Sequence, residues 1–147
     1  MRESLKQASK AFERGEMPVG VIIVHKDKII SRGYNKKELK KDSTMHAEII
    51  AIRRASKKIG DWRLNECVMY VTMEPCIMCL GAIKESRIKK IYCGVKNKTY
   101  NEVNKKIIDT YNLNVEYGIL KLEIQKQLKS FFKIIRKSNE KINDNLT

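Results

Sequence analysis

The stretches His46-Ala47-Glu48 and Pro75-Cys76-Ile77-Met78-Cys79 hold the residues whose types and spacing could do chemistry. One histidine, two cysteines at i and i+3 and one carboxylate are the donor set of a hydrolytic zinc site. Zinc centres with three protein ligands from nitrogen and sulfur leave the fourth position to water and are catalytic, whereas structural centres close all four. Glu48, two residues after the histidine, is placed to move the protons of that water. The sequence therefore predicts one Zn2+ per chain, with His46, Cys76 and Cys79 as ligands and Glu48 as the catalytic proton carrier.

Each part taken alone is a weak signal. A single histidine is more often packed or hydrogen-bonded to solvent than bound to metal. Cys-x-x-Cys is shared by redox motifs and structural zinc knuckles. A glutamate in the first turn of a helix is favoured there by the helix dipole. The combination is far more specific, because His-x-Glu and Pro-Cys-x-x-Cys each open a predicted helix. Spacing of i and i+3 puts both sulfurs on one helix face. A helix N-terminus also lowers cysteine pKa toward the thiolate that zinc requires.

Two helix starts must therefore meet, and the rest of the chain reads as the elements that bring them together. Leu5, Ala8, Ala11 and Phe12 fall on one stripe and predict a helix over 2–14, stopped by Gly15. The β-branched run 19–24, a polar turn at 25–28 and a second strand at 29–34 make a hairpin. Residues 35–42 read as a polar loop, and Ser43 or Thr44 can cap the following helix, which Gly60 and Asp61 end. Strands are expected at 67–73 and 88–93, the latter closed by Gly94. Between them a helix runs from Pro75 to Lys84, with the proline in the first turn. A short helix around Val103, Ile107 and Ile108, a strand at 113–119 and a last helix over 120–137 complete the order. The pattern is α/β: three layers, α/β/α, around a mixed five-stranded sheet. Residues 95–112 are long enough to cross over and leave the fourth and fifth strands parallel.

At 147 residues the chain fits one domain over 1–137, with a polar and disordered tail expected over 138–147. Hydrophobic residues make up 42% and charged ones 33%, which permits a packed core and argues against wholesale disorder. No run approaches the roughly 18 apolar residues of a membrane helix and no signal peptide opens the chain, so a cytoplasmic protein with no membrane association is expected. In that setting metal ligation by Cys76 and Cys79 accounts for the cysteines better than disulfides. Cys67 and Cys93 fall in strands as core thiols. The net charge of +14, from 31 basic and 17 acidic side chains, leaves two readings open. One is a polyanionic partner whose phosphates the lysines neutralise; the other is a lysine-rich composition spread over solvated faces.

The joint zinc signature is the one carried by zinc-dependent nucleobase deaminases, whose glutamate is not a ligand. Over nearly its whole length the chain resembles the bacterial tRNA adenosine deaminases, the TadA family. Beyond the zinc signature it matches at Met17-Pro18-Val19-Gly20, Gly33-Tyr34-Asn35, Trp62-Arg63-Leu64, Tyr70-Val71-Thr72-Met73-Glu74 and Ser86-Arg87-Ile88. The Phe131-Phe132 pair, followed by basic residues, resembles that family's last helix. The resemblance implies a cytidine deaminase-like fold and hydrolytic conversion of adenosine to inosine, with release of ammonia, at the wobble position of a tRNA anticodon arm. It also implies a homodimer that completes each RNA groove. Asn35 would hydrogen-bond the nucleotide at the pocket mouth, backbone groups at Ala47 and Pro75 would orient the base, and Phe132 would contact flanking RNA. From the residues alone, Asn35 reads equally well as a turn residue, and Phe131 and Phe132 as core packing with one ring buried and one near the surface.

The resemblance breaks down at Lys96-Asn97-Lys98-Thr99-Tyr100-Asn101-Glu102-Val103. The family usually carries an aspartate at the position of Asn97 and a glycine-containing turn after it. An amide donates as well as accepts, where a carboxylate only accepts, so an altered demand for the ribose 2′-hydroxyl is expected at Asn97. Met45 replaces a smaller residue before His46. Two other functions compete with the leading one. A deaminase of a free nucleobase or nucleoside, of guanine, cytosine or cytidine type, would keep the same zinc chemistry. A zinc-stabilised RNA-binding module without turnover would have no use for Glu48 and would prefer a fourth protein ligand.

Overall fold

The computed structural model describes residues 1–144, with side chains through residue 138. The apolar run entering at Gly20 forms β1 (Gly20–His25), and Lys26 and Asp27, at φ of 48° and 59°, turn the chain into β2 (Lys28–Tyr34). Two successive left-handed residues suit the twist of a tight hairpin. β1 also pairs antiparallel with β3 (Cys67–Met73). β3 then pairs parallel with β4 (Lys90–Val95), and β4 parallel with β5 (Asn114–Glu116). The five-stranded sheet has the order β2-β1-β3-β4-β5. It is mixed, and its last two strands are parallel, as the sequence predicts.

Side chains that alternate along the strands bury one face of the sheet under each helical layer. Val21, Ile23, Met69, Val71, Ile91 and Cys93 point to the larger core beneath α3 (Ala47–Ile59), α4 (Ile77–Glu85) and α5 (Asn101–Thr110). The smaller core, around Val95, Ile124 and Leu128, lies beneath α1 (Arg2–Glu13) and α6 (Lys121–Asp144), with Met1, Leu5 and Met17 packed against it. The result is the three-layer α/β/α architecture.

Several boundaries differ from the sequence reading, each for a local reason. The 35–42 loop contains a one-turn helix, α2 (Lys37–Lys40). Neither Ser43 nor Thr44 caps α3: Asp42 Oδ1 accepts from both the Thr44 amide (2.8 Å) and its hydroxyl (2.7 Å), and the cap position falls to His46. Pro75 precedes α4 and is not in its first turn, because Cys76 is the extended cap residue. Gly94 lies inside β4, where a Cβ would come within 2.1 Å of Ile124 Cδ1; it marks close packing of α6 and not a strand end. β5 is shorter than expected, and α6 runs past 137 to Asp144, with no proline or glycine to stop it. The rest of the expected tail, 145–147, lies outside the described residues.

Candidate active site

Close packing sets where α3 begins. A Cβ on Gly33 would sit 2.3 Å from the Ala47 carbonyl oxygen and 3.0 Å from the Ala51 nitrogen, so β2 admits the helix only with glycine there. Ser31 adds a hydrogen bond from its hydroxyl to the Ala51 carbonyl at 2.8 Å. The small buried faces of Ala47, Ala51 and Ala55 let the helix lie against the sheet. Its cap, His46, is extended, and its ring makes no capping bond to the backbone, which leaves the imidazole free to project. On the other side, Glu74 donates its N–H to the Val95 carbonyl (2.8 Å), and the Pro75 carbonyl accepts from the buried Asn104 side-chain amide (3.0 Å). These bonds fix the turn from β3 into α4 and with it Cys76.

The two helix caps meet. His46 Nδ1 lies 3.6 Å from the sulfur of Cys76 and 3.6 Å from that of Cys79, and the three donor atoms are all within 4.8 Å of one another. A tetrahedral zinc with Zn–N of about 2.0–2.1 Å and Zn–S of about 2.3 Å separates nitrogen and sulfur by about 3.6 Å. The spacing and the donor types therefore fit zinc with one position open. The electrostatics agree. Hydrogen bonding from Cys79, then from His46, holds the Cys76 thiol down at about 4, while the bond to Cys76 and burial push Cys79 well up. His46 is raised by its bond to Cys76. Three groups competing this closely for protons form a site that a cation would satisfy.

Glu48 is 4% exposed and lies in the first turn of α3. Burial, with the neighbouring Cys76 charge, pushes its carboxyl up to about 7, where a carboxyl can both take and release a proton. A cavity of about 300 Å³ opens over His46, Glu48 and Cys76. Of the other sequence-predicted residues, Asn35, Ala47 and Asn97 line it. Pro75 is not among its lining residues. Phe132 is not either: it is 44% exposed on α6, while Phe131 is buried edge-on against Phe12. One phenylalanine buried and one exposed is the arrangement expected from the residues alone.

Two buried carboxylates that sequence reasoning missed support the cavity. Glu74 accepts from the Asn97 backbone N–H (2.9 Å) and from the Tyr117 hydroxyl, tying the 96–100 segment to the end of β5. Its position directly before Pro75 was the available signal. Glu16 accepts from the other wall, at 35–39. In sequence it is an ordinary turn glutamate after Gly15, with nothing to announce its burial. Tyr100, Lys37, Met17, Val19 and Met73 also line the cavity. Cys67 and Cys93 are buried core thiols whose pKa burial raises.

The family profile of the MafB19-like deaminases matches residues 1–136. A tRNA-specific adenosine deaminase of Buchnera aphidicola is 43% identical over 138 residues, covering 90% of this chain and 91% of that one. The chain belongs to this deaminase family. The chloroplastic tRNA(adenine(34)) deaminase of Arabidopsis thaliana is 51% identical over 98 residues, which are 67% of this chain but 8% of that much longer protein. A solved structure from a study of A-to-I editing by tRNA:A34 deaminases at the wobble position superposes with a TM-score of 0.81 at 34% identity. It covers 87% of this chain and 97% of that one. The fold is thus the cytidine deaminase-like fold expected from the sequence.

Proposed function

We propose that this deaminase hydrolyses adenosine to inosine at the wobble position of tRNA, releasing ammonia, and that its single domain over 1–137 depends on one zinc ion. The observation that carries the reading is the meeting of His46, Cys76 and Cys79 beside buried Glu48 at the floor of one cavity, in a chain related nearly end to end to tRNA-specific adenosine deaminases. His46, Cys76 and Cys79 would hold the zinc ion, which would supply the Lewis acidity that makes a water nucleophilic near neutral pH. Glu48 takes a proton from the attacking water and delivers it to N1 of the adenine ring beside C6, then takes the second from the new C6 hydroxyl and passes it to the departing amine. Water enters and ammonia leaves, so atoms balance.

The remaining groups bind and orient. Asn35 and the backbone at Ala47 hold the nucleotide, Asn97 meets it from the opposite wall, and Pro75 and Phe132 contribute as the family resemblance implies. A base in an anticodon loop is largely unpaired, so flipping it into the cavity costs less than from a duplex. The net charge of +14 supports an RNA partner. Exposed Ile77, Met78, Tyr100 and Val103 leave apolar surface on α4, α5 and the turn between β4 and α5, which supports a homodimer covering that face. Among the described residues no helix is long and apolar enough to cross a membrane; the cytoplasmic location expected from the sequence is part of this proposal.

Purified protein incubated with total tRNA should produce inosine at the first anticodon position, read by sequencing. Ammonia release from free guanine, cytosine or nucleosides with no inosine in any tRNA would replace this reading with that of a free-base deaminase.

A further inference from the structure

Glu16 is 1% exposed and is paired with no basic side chain among the described residues. A carboxylate buried without a cation is tolerated only where hydrogen bonds replace its water. Three donors do so here. The Leu39 amide reaches Oε1 at 2.6 Å, and the Glu38 amide and the Asn35 side-chain Nδ2 reach Oε2 at 3.2 and 3.4 Å. Asn35 Oδ1 in turn accepts from the Lys37 amide at 3.4 Å. Asn35 and Lys37 line the cavity over Glu48.

We propose that Glu16 is a positioning residue of the active site, whose carboxylate orients the Asn35 amide and holds the 36–40 segment as a wall of the cavity. The proposal rests on the reading above that this cavity takes the nucleotide. A carboxylate accepts and never donates when ionised, so it admits only the amide nitrogen of Asn35. Oδ1 is then the end left to accept, from Lys37 and from a donor on the substrate. Glutamine cannot do this job, because one of its two arms would point N–H at N–H. Three converging donors require an acceptor on both arms, and aspartate is one methylene short of reaching them.

The test is a double-mutant cycle of Glu16→Gln and Asn35→Ala, with steady-state kinetics on anticodon-arm RNA and zinc content measured for each protein. Glu16→Gln should lower kcat/KM by roughly 10- to 100-fold, as displacement of a substrate-orienting group does, with zinc bound as in wild type. In the Asn35→Ala background the same change should have little further effect. Hydrogen exchange gives a readout independent of turnover: the Glu38 and Leu39 amides should exchange roughly tenfold faster in Glu16→Gln. Unchanged kinetics and exchange in Glu16→Gln would overturn the assignment. So would losses that add fully across the cycle, because Glu16 would then act independently of Asn35. Loss of zinc or of the folded circular-dichroism spectrum in both Glu16→Gln and Glu16→Asp would make Glu16 a structural residue and likewise overturn it. If wild type deaminates a nucleoside and not tRNA, the functional reading fails while the cycle, run on that nucleoside, still decides this one.

Discussion

Glu48 stands two positions from His46 and is buried where a carboxylate must trade its water for the reacting groups. Glu48→Ala should lower kcat by about 10⁴-fold or more, the upper range for a positioned proton carrier, while zinc content measured by mass spectrometry stays at one per chain. Binding and biological function intact in that variant would instead favour a non-catalytic RNA-binding module. Cys76→Ala removes one of the three proposed zinc ligands, so both zinc and turnover should be lost. Dialysis of wild type against a chelator should abolish activity and added zinc restore it; activity in demonstrably metal-free protein would refute zinc dependence. Asn97 offers a different test. Its Oδ1 is engaged by the Thr99 amide at 3.1 Å, which leaves Nδ2 to meet a nucleotide. Asn97→Asp should therefore shift the ratio of rates on matched RNA and DNA hairpins. Equal rates on both, unchanged by the substitution, would sink a role for Asn97 in reading the 2′-hydroxyl.

The start of α3 depends on what lies beneath it. Gly33 admits the helix backbone at a distance no side chain allows, with the Ala47 carbonyl 2.3 Å from a would-be Cβ. Gly33→Ala should destabilise the fold by about 1–3 kcal/mol through overpacking, seen as a lowered denaturation midpoint. Because His46 and Glu48 sit at that helix start, activity should fall further than stability accounts for. Elements with a strong apolar period or a β-branched run were legible: α1, the hairpin, β3 and the last helix carry their patterns in the chain. The ends were not. Asp42 diverts Thr44 from capping α3, and Gly94 yields to α6 inside a strand, and neither effect is visible without knowing which segments touch. β5 is short because only its three residues find a partner on β4.

The basic excess and the exposed apolar groups belong to the molecule as a whole. If lysine and arginine neutralise RNA phosphates, log Kd for an anticodon arm should rise linearly with log salt, by about 0.7 per phosphate contacted on a single strand. A slope near zero would assign the +14 charge to composition alone. Sedimentation equilibrium should give twice the chain mass of 17.1 kDa, and a charged residue at Met78 or Val103 should return it to that of one chain. A monomeric wild type would leave the exposed apolar face of α4 and α5 without the partner proposed for it.

By itself the sequence determined the class of reaction and singled out the residues proposed as metal donors and proton carrier, because those depend on residue types at short spacings that only helix periodicity has to preserve. It also determined the layer architecture, since buried strands and amphipathic helices announce their periods locally. The tertiary structure alone decided which residues wall the cavity. Glu16 is an ordinary turn glutamate in the chain and Glu74 is marked only by the proline after it; both became supports when folding buried them against backbone amides distant in sequence. Burial of a charged group is a property of the packed molecule, so its hydrogen-bond partners had to be seen in three dimensions.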